Sequence, residues 1–427
     1  RSRSKRMVVA FVDFTKAYDS IDRAALWKVL EIYQVDPHII SLLRDLHTGT
    51  TAAVRLADQV GRAFQVTAGV RQGCVIAPTL FNVFIDFILR KALAEMPEEV
   101  SSGIQFRTRA GGKVPESSIE RIVMLLYADD LALMSHNPVH LAMMLEIVDA
   151  VASRHGLKIN AAKTEIVDFN SDVTGDGATP LPPMQIAGGT VVQSDKFVYL
   201  GATQCANSDA AKEIAVRNAR ALQAMESFEK VWSTKKWKLA TKMRVYKTYV
   251  LPHFLFGAEA WAATQCQTNI LEHSHSHCLR RIMGATLTDR HSLQFIYSAC
   301  GSEPLELMIS RSTARWAGHV FRMDASRYPR QAFECTVDGG APIGKAWSTG
   351  LRHYYKRLWQ KSSFIDVNKI QKNSRDFKSG HWDVMWDELM TRAQDKAAWR
   401  NAVHGIRLGA TPNPASPPRR NPRRGGG

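Results

Sequence analysis

Three aspartates lie where the sequence predicts a strand end and a strand-to-strand turn. Asp13 is near the end of the apolar run Met7–Phe14, and Asp129 and Asp130 interrupt the apolar stretch Ile122–Met134. Adjacent aspartates at a turn are common for backbone reasons alone. The flanking runs are so apolar, however, that we expect the turn to lie against a core, where clustered carboxylates repel unless a cation neutralises them. The pattern therefore indicates a metal site.

Ligands that are all oxygen favour Mg²⁺ or Mn²⁺ over zinc. If Asp13 joins the aspartates of the turn, three carboxylates are available to two such ions, the usual arrangement for in-line phosphoryl transfer. On the residues alone, a polymerase and a nuclease both remain open.

The elements that must position these aspartates are short strands alternating with helices. Met7–Phe14 is typical of a strand buried on both faces, and the runs around Asp129 and Asp130 predict a tight hairpin. Further elements follow from periodicity and caps, with helices over Ala24–Tyr33, from Pro78 onward and from Pro138 to Gly156, and strands near Ile159 and at Phe197–Leu200. We therefore expect an α+β layer in the first part of the chain.

The charge of the chain favours a polyanionic partner. Lys and Arg total 56 against 40 acidic residues, giving +16, with four positive charges in residues 1–6 and four more in residues 419–424. The rest of the excess fits either a solvated basic surface or a nucleic-acid groove. Hydrophobic residues make up 45%, which excludes a chain disordered throughout, and no apolar run reaches the length of a membrane span, so we expect no membrane association.

The cysteines and histidines suggest neither a disulfide scaffold nor a zinc site. The 6 cysteines include no C-x-x-C pair, and we expect an intracellular, reducing compartment. Between Cys266 and Cys300 lie His273, His275 and His277, but their spacing scatters ligands around a helix instead of along one face.

A change of character after Gly201 indicates a domain boundary. From about Ala210 to Trp261 the pattern is helical and basic, with Lys235, Lys236 and Lys242 interleaved with aromatic residues. We therefore predict four parts, namely an α+β domain over residues 1–201, a helical domain over 202–300, a region of unassigned fold over 301–410 and a disordered basic tail over 411–427.

Five segments resemble the motifs of reverse transcriptases, in the order of that family. The segments are FVDFTKAYD (Phe11–Asp19) for motif A, GVRQGCVIAPTLFN (Gly69–Asn82) for motif B, YADD (Tyr127–Asp130) for motif C, GLKINAAKTEI (Gly156–Ile166) for motif D and FVYLG (Phe197–Gly201) for motif E. Their style, with YKTYVLPHFLFGAEAW (Tyr246–Trp261) and RWAGHVFRM (Arg315–Met323), resembles non-LTR, or LINE-type, retrotransposon polymerases. The resemblance begins at motif A and covers roughly residues 7–330.

This resemblance implies a right-hand polymerase in which residues 1–201 are the palm, an antiparallel sheet with packed helices, and residues 202–300 are a helical thumb, with the fingers largely missing. It implies RNA-directed DNA polymerase activity that transfers dNTPs to a primer 3′-hydroxyl with two Mg²⁺ or Mn²⁺ ions. The implied partners are an RNA template and a DNA primer or nicked target DNA, and the endonuclease would lie elsewhere in the full-length protein. The expected location is the nucleus, with a cytoplasmic ribonucleoprotein stage.

Carried over residue by residue, the resemblance assigns the catalytic groups. Asp13, Asp129 and Asp130 would hold the two ions, assisted by the main chain around Phe14. Lys163 matches the motif D lysine that serves as general acid to the pyrophosphate.

The resemblance also assigns groups that bind substrate. Tyr18 would be the steric gate that favours dNTP over NTP, and Gln72 and Gly73 would contact the nascent base pair and the template strand. Arg71 would reach a phosphate. The residues expected to grip the nucleic-acid backbone in the helical domain are Lys235, Lys236 and Lys242.

Two functions of different class follow. The first is an active polymerase, favoured by the three aspartates, Tyr18 and the RQG segment. The second is a catalytically inactive remnant or co-opted RNA-binding protein with the same fold, favoured because the fingers motifs that bind the triphosphate would precede Arg1. A nuclease has no use for a steric gate or an RQG segment.

Overall fold

The structure is a computed structural model. It describes residues 6–71, 73–108, 119–169, 181, 183–186, 189–206, 210–261, 263–336 and 391–406. The chain divides into two compact units, with described residues from 6 to 107 and from 119 to 206 in the first, and from 210 to 336 and from 391 to 406 in the second.

The first unit contains helices and short strands in alternation. Its helices are α1 (Arg23–Ile32), α2 (Pro37–His47), α3 (Ala77–Glu95) and α4 (Pro138–Arg154). Its strands are β1 (Met7–Val12), β2 (Thr51–Ala52), β3 (Arg55–Leu56), β4 (Gln59–Val60), β5 (Phe64–Gln65), β6 (Ile104–Thr108), β7 (Ile119–Ile122), β8 (Met124–Tyr127), β9 (Asp130–Ser135), β10 (Glu165–Phe169), β11 (Gln185–Ile186), β12 (Gly189–Thr190), β13 (Val192–Gln193), β14 (Lys196–Tyr199) and β15 (Ala202–Cys205).

A five-stranded sheet forms the centre of this unit, in the order β13-β10-β1-β9-β8. β1 lies in the middle and pairs antiparallel with β9 and β10. Five of its six residues are buried, as predicted for an apolar strand covered on both faces. The ladder continues to Val12 opposite Leu131, so β1 and the hairpin bring their aspartates to the same end of the sheet.

The helices lie on one face of the sheet, where each buries an apolar stripe. Polar side chains cap the first turns of α1 and α4. Asp22 caps α1 and Asn137 caps α4 by accepting hydrogen bonds from main-chain N–H groups of the first turn. α4 packs on β1 and β9, and α3 packs on both α1 and α4. On the other face, Phe11 of β1 stacks on Phe197 of β14 with ring centroids 4.3 Å apart.

Most elements predicted for this part of the chain are confirmed, and the α+β class with them. Two expectations were wrong. Ile159 makes an isolated bridge to Phe14, and the strand of this region is β10, six residues later. The turn was also expected to lie against a core, but only the strand after it is buried, as at Leu131, whereas Leu126 and Tyr127 before it, on the edge strand β8, are exposed.

The second unit is helical. It contains α5 (Ala211–Ser227), α6 (Glu229–Ser233), α7 (Leu239–Tyr249), α8 (Leu251–Leu255), α9 (Gln265–Met283), α10 (Leu293–Cys300), α11 (Leu305–Phe321), α12 (Tyr328–Glu334), the two-residue strand β16 (Cys335–Thr336) and α13 (Lys396–Gly405). α9 is central, begins with a capping box between Thr264 and Gln267, and ends at Gly284 in the left-handed conformation.

The last helix, α13, is held against α11 although about sixty residues separate α12 from it. Trp399 is 3% exposed, and its indole N–H donates to the Ala314 carbonyl at 2.9 Å. The indole fills the space beside Gly318, where an added Cβ would lie 2.1 Å from Nε1. Arg311 donates to the carbonyl of Ile406 at the end of α13.

This packing corrects the predicted division at residue 301. α10 and α11 share one hydrophobic core with α9, so a single unit continues across that position. The predicted boundary after residue 201 stays a prediction, and the compact units divide close to it, between residues 208 and 209. The predicted tail over 411–427 lies outside the described residues. No helix in the described ranges is both long and apolar enough to cross a bilayer.

Candidate active site

Asp13 directly follows β1, and its main chain is held by the segment that precedes β10. The Asn160 N–H donates to the Asp13 carbonyl at 2.8 Å, and the Asp13 N–H donates to the Thr164 hydroxyl at 3.4 Å. Phe14 is buried and bridges to Ile159. The aspartate is therefore fixed by its backbone, while its side chain remains 38% exposed.

Asp129 and Asp130 occupy the hairpin between β8 and β9. Tyr127 pairs with Asp130, which leaves Ala128 and Asp129 as a two-residue loop. Ala128 adopts a φ of +53°, a positive value at the first loop residue that occurs in type II′ hairpin turns. The tight turn places both carboxylates at its tip, as the sequence predicted.

The three aspartates lie at one end of two neighbouring strands. One residue past the Val12–Leu131 pair, the ladder brings Asp13 alongside Asp130. The pKa of the Asp130 carboxyl is raised, first by burial and then by the negative charges of Asp129 and Asp13. The three carboxylates are therefore close enough to repel one another.

This donor set suits a hard divalent cation, because it consists of carboxylate oxygens of like charge. Within the described ranges, no three or more His, Cys, Asp or Glu side chains are arranged closely enough to hold a metal ion. The backbone thus places the three aspartates at one end of the sheet, whereas their carboxylate groups do not point at a single shared position.

Lys163 forms an ion pair with Asp13. Its Nζ lies 3.9 Å from Asp13 Oδ2, and the side chain is 69% exposed. An exposed pair of this kind contributes little to stability. The ammonium group is therefore accessible to solvent beside Asp13.

Tyr18 lies between the aspartates and α3. Its ring stacks on Phe81 with centroids 4.6 Å apart and planes 18° apart. The pKa of its hydroxyl is raised by burial and by the nearby charge of Asp129. The aromatic ring is thus held rigidly within electrostatic reach of the aspartate turn.

The segment before α3 carries the other predicted substrate contacts. Arg71 is exposed, and Gly73 has a φ of +87°, where an added Cβ would meet no atom within 4 Å. Glycine is favoured here by the backbone conformation, and the open space leaves the main chain accessible. Gln72 lies outside the described residues.

Two residues near the aspartates were not singled out from the sequence. Thr164 is fully buried and accepts from the Asp13 N–H. Tyr199, at the end of β14, has a raised pKa because of burial and the charge of Asp130. Both lie inside quoted motif segments, Tyr199 in FVYLG and Thr164 in GLKINAAKTEI, and that position was the available signal.

The lysines predicted to bind nucleic acid belong to the second unit and differ in exposure. Lys235 and Lys236 are exposed, and Lys235 lines a cleft of about 530 Å³ together with Trp237. Lys242 is 9% exposed, and its ammonium group donates to the Trp232 carbonyl at 2.6 Å. This corrects the prediction for Lys242, because an ammonium group bound inside the protein is not presented to a phosphate.

Comparison with known proteins agrees with the motif assignment. The family described as reverse transcriptase (RNA-dependent DNA polymerase) matches residues 1–204. The Pol polyprotein of the type-1 retrotransposable element R2 of Popillia japonica is 24% identical over 265 residues, which cover 61% of this chain and 34% of that protein. The RNA-directed DNA polymerase of the mobile element jockey of Drosophila melanogaster is 24% identical over 287 residues, 65% of this chain and 28% of that protein. The chain thus spans about a third of the length of these relatives.

A solved structure gives a weaker match. Telomerase from Candida albicans, determined with a fragment of telomeric RNA, has a TM-score of 0.39 and 10% sequence identity over 69% of this chain and 50% of that chain. The resemblance predicted from the five motifs is confirmed by the family match and by the two retrotransposon relatives.

Proposed function

We propose that this chain is the palm and thumb of an RNA-directed DNA polymerase of a LINE-type element. Residues 1–204 match the reverse transcriptase family, and the relatives of the chain are polymerases of non-LTR retrotransposons. The observation that carries the proposal is that strands β1 and β9 and the hairpin turn place Asp13, Asp129 and Asp130 at the same end of the central sheet, near enough for Asp129 and Asp13 to raise the pKa of Asp130. In this assignment the first unit is the palm and the second unit is the thumb. The reaction is transfer of a dNTP to a primer 3′-hydroxyl.

The three aspartates would hold two Mg²⁺ or Mn²⁺ ions, with the main chain of Phe14 beside them. Such ions, when bound, lower the pKa of the attacking hydroxyl and stabilise the charge that develops on the phosphates. The protein itself orients the carboxylates through the β1–β9 ladder and the hairpin turn. Lys163, exposed and 3.9 Å from Asp13 Oδ2, would donate a proton to the departing pyrophosphate.

Selection of the sugar would depend on Tyr18. Its ring is stacked on Phe81 and cannot withdraw without losing that contact, so a 2′-hydroxyl on the incoming nucleotide would collide with it. The open main chain at Gly73 would approach the template strand, Gln72 the nascent base pair, and Arg71 a phosphate.

The remaining parts of the proposal concern partners. RNA template and a DNA primer or nicked target DNA would run along the palm and be gripped by exposed lysines of the thumb, including Lys235 and Lys236. An endonuclease elsewhere in the full-length protein would nick the target. The protein would act in the nucleus after a cytoplasmic ribonucleoprotein stage.

The test is primer extension on an RNA template with Mg²⁺ or Mn²⁺. Four forms are compared, namely this chain, a version extended upstream through the fingers, and the Asp129→Asn variant of each. Asp45→Asn, an exposed aspartate on α2, controls for loss of one negative charge. We expect dNTP incorporation by the extended form, loss of at least about a thousandfold in rate for Asp129→Asn, and no change for Asp45→Asn.

If neither form extends a primer while both bind RNA in a salt-sensitive way, the enzyme assignment is refuted and the binding remnant is correct. If extension survives Asp129→Asn, the aspartates do not form the site proposed.

A further inference from the structure

Arg23 makes an unusually large set of hydrogen bonds close to the proposed nucleotide site. Its guanidinium group donates to five acceptors, three of which belong to the segment that precedes Arg71. The acceptors are the carbonyl oxygens of Gly69 at 2.9 Å, His47 at 2.7 Å, Val66 at 2.9 Å and Ala68 at 3.4 Å, and the Thr50 hydroxyl at 3.3 Å. The planar fork of arginine suits such a set, and lysine cannot reproduce it.

The position of Arg23 is itself fixed. It is the first residue of α1, and Asp22 caps that helix by accepting from the N–H groups of Ala24 at 2.7 Å and Ala25 at 3.2 Å. The guanidinium group therefore ties the 66–69 segment to a rigid element.

The same segment is joined on its other side to the turn that carries Tyr18. The Gly69 N–H donates to the Ile21 carbonyl at 2.8 Å, and the Val70 N–H donates to the Tyr18 carbonyl at 2.9 Å. The approach is so close that a Cβ on Gly69 would lie 2.6 Å from the Asp19 Cα. Any movement of residues 66–70 is therefore transmitted to the backbone of Tyr18.

We infer that Arg23 is a positioning residue for the incoming nucleotide. It would hold residues 66–70 against the Tyr18 turn, and so would set the distance between the aromatic gate and the loop of Arg71 and Gly73. This inference rests on the proposed polymerase function and adds to it a residue outside the catalytic aspartates. Arg71 also lies close enough to lower the pKa of Arg23, after the larger effect of burial, which places the two guanidinium groups near each other.

The geometry predicts a specific kinetic effect. Removing the guanidinium group would let the 66–70 segment shift without displacing Asp13 or the hairpin, which are held by the β1–β9 ladder. The chemical step should therefore be preserved better than nucleotide binding. Small misplacements of positioning groups cost up to about a hundredfold, and we expect KM for dNTP to rise roughly tenfold and discrimination against ribonucleotides to fall, with kcat changed by less than about threefold.

The test uses Arg23→Gln and Arg23→Lys in the chain extended through the fingers. Arg6→Gln is the matched control. Arg6 is partly buried, as Arg23 is, and it forms an ion pair with Asp168 at the other end of β1, with Nη2 2.5 Å from Oδ2. Thr50→Val removes one acceptor and leaves Arg23 in place, so it serves if both Arg23 variants fail to fold. Single-nucleotide extension gives KM, kcat and the dNTP to NTP ratio, and thermal unfolding measures the loss of stability.

The inference is supported if the Arg23 variants raise KM for dNTP and reduce discrimination against ribonucleotides, and if Arg6→Gln does neither while losing the same amount of stability. The smaller change Thr50→Val should raise KM roughly twofold. If the Arg23 and Arg6 variants differ from wild type only in melting temperature, or lose kcat alone, the inference is overturned and the polymerase function stands. If the wild-type extended chain neither extends primers nor gains thermal stability with dNTP, both fail.

Discussion

Acidification should destabilise the second unit through His275. The ring is 0% exposed, with Nδ1 2.6 Å from the Tyr246 hydroxyl and Nε2 3.1 Å from the Glu303 carbonyl. Because a carbonyl oxygen can only accept, Nε2 carries the proton and Nδ1 accepts from Tyr246, so the neutral ring is satisfied on both sides. Burial lowers the pKa of His275 from 6.5 to about 4.

The size and sign of the effect follow from this difference. The unfolded chain binds the proton near pH 6.5 and the folded chain near pH 4, so stability is fully present above the higher value and is lost as pH falls towards the lower one. The whole difference corresponds to about 3 kcal/mol, of which about 2 kcal/mol is lost by about pH 5. Glu272 opposes this effect, because burial raises the pKa of its carboxyl and thereby favours the folded state in acid. The effect must therefore be measured as a difference between two proteins.

Those proteins are the wild type and His275→Gln, since glutamine can accept from Tyr246 and donate to Glu303 without titrating. Urea unfolding is followed by tryptophan fluorescence, because Trp27 alone of the 10 tryptophans precedes residue 209. Between about pH 7.5 and about pH 5 the wild type should lose about 2 kcal/mol more than the variant. His277→Gln, exposed on the same helix, should follow the wild type. Equal pH dependence in wild type and His275→Gln would refute this account of the buried ring.

Four other substitutions test the site and the second unit. Tyr18→Ala should raise ribonucleotide incorporation relative to deoxyribonucleotide by about tenfold or more in single-nucleotide extension, since the stacked ring is the proposed block; an unchanged ratio would show that another group selects the sugar. Gly69→Ala should lower the free energy of unfolding by roughly 2 kcal/mol or more in urea titrations, because the residue has a φ of +78° and faces the backbone of the Tyr18 turn; a neutral effect would mean that the segment can move. Lys242→Met should lower the melting temperature and leave the salt dependence of RNA binding unchanged, whereas Lys235→Met should reduce that dependence by about one phosphate contact; the reverse result would restore Lys242 as a binding residue.

The position of the three aspartates in the first unit was predictable from sequence because they adjoin the central strands of the sheet. A strand buried on both faces must be apolar along its length, so Met7–Val12 stands out, and a two-residue turn between apolar runs identifies the hairpin at Asp129. The errors fall at less constrained positions. Ile159 resembles a strand residue but makes a single bridge, and the exposure of β8 depends on which strand lies at the edge, which is a property of sheet order and not of local pattern.

What the sequence could not indicate is the partner of each long polar side chain. Arg23 and Lys242 both have the appearance of solvated cations in a linear pattern. Arg23 donates to carbonyl groups 43 to 46 positions later in the chain, and Lys242 donates to a carbonyl 10 positions earlier. The first contacts form only when α1 packs against the 66–69 segment, and the second forms only when the chain turns between α6 and α7. Motif comparison does not reveal such contacts, because the acceptor is a main-chain oxygen and every residue has one whatever its side chain.

The docking of α13 on α11 has a consequence for the genetics of the encoding element. Trp399 occupies a space that Gly318 leaves open, and without it the groove would expose the apolar core of the second unit to water. A premature stop codon or frameshift between residues 336 and 391 would remove this plug while leaving every polymerase motif intact. Loss of a buried tryptophan costs about 3 to 5 kcal/mol, comparable to the whole stability of many domains. Cellular proteolysis would therefore eliminate truncated products, so the fold of the second unit couples survival of the protein to an open reading frame that continues well past the three aspartates.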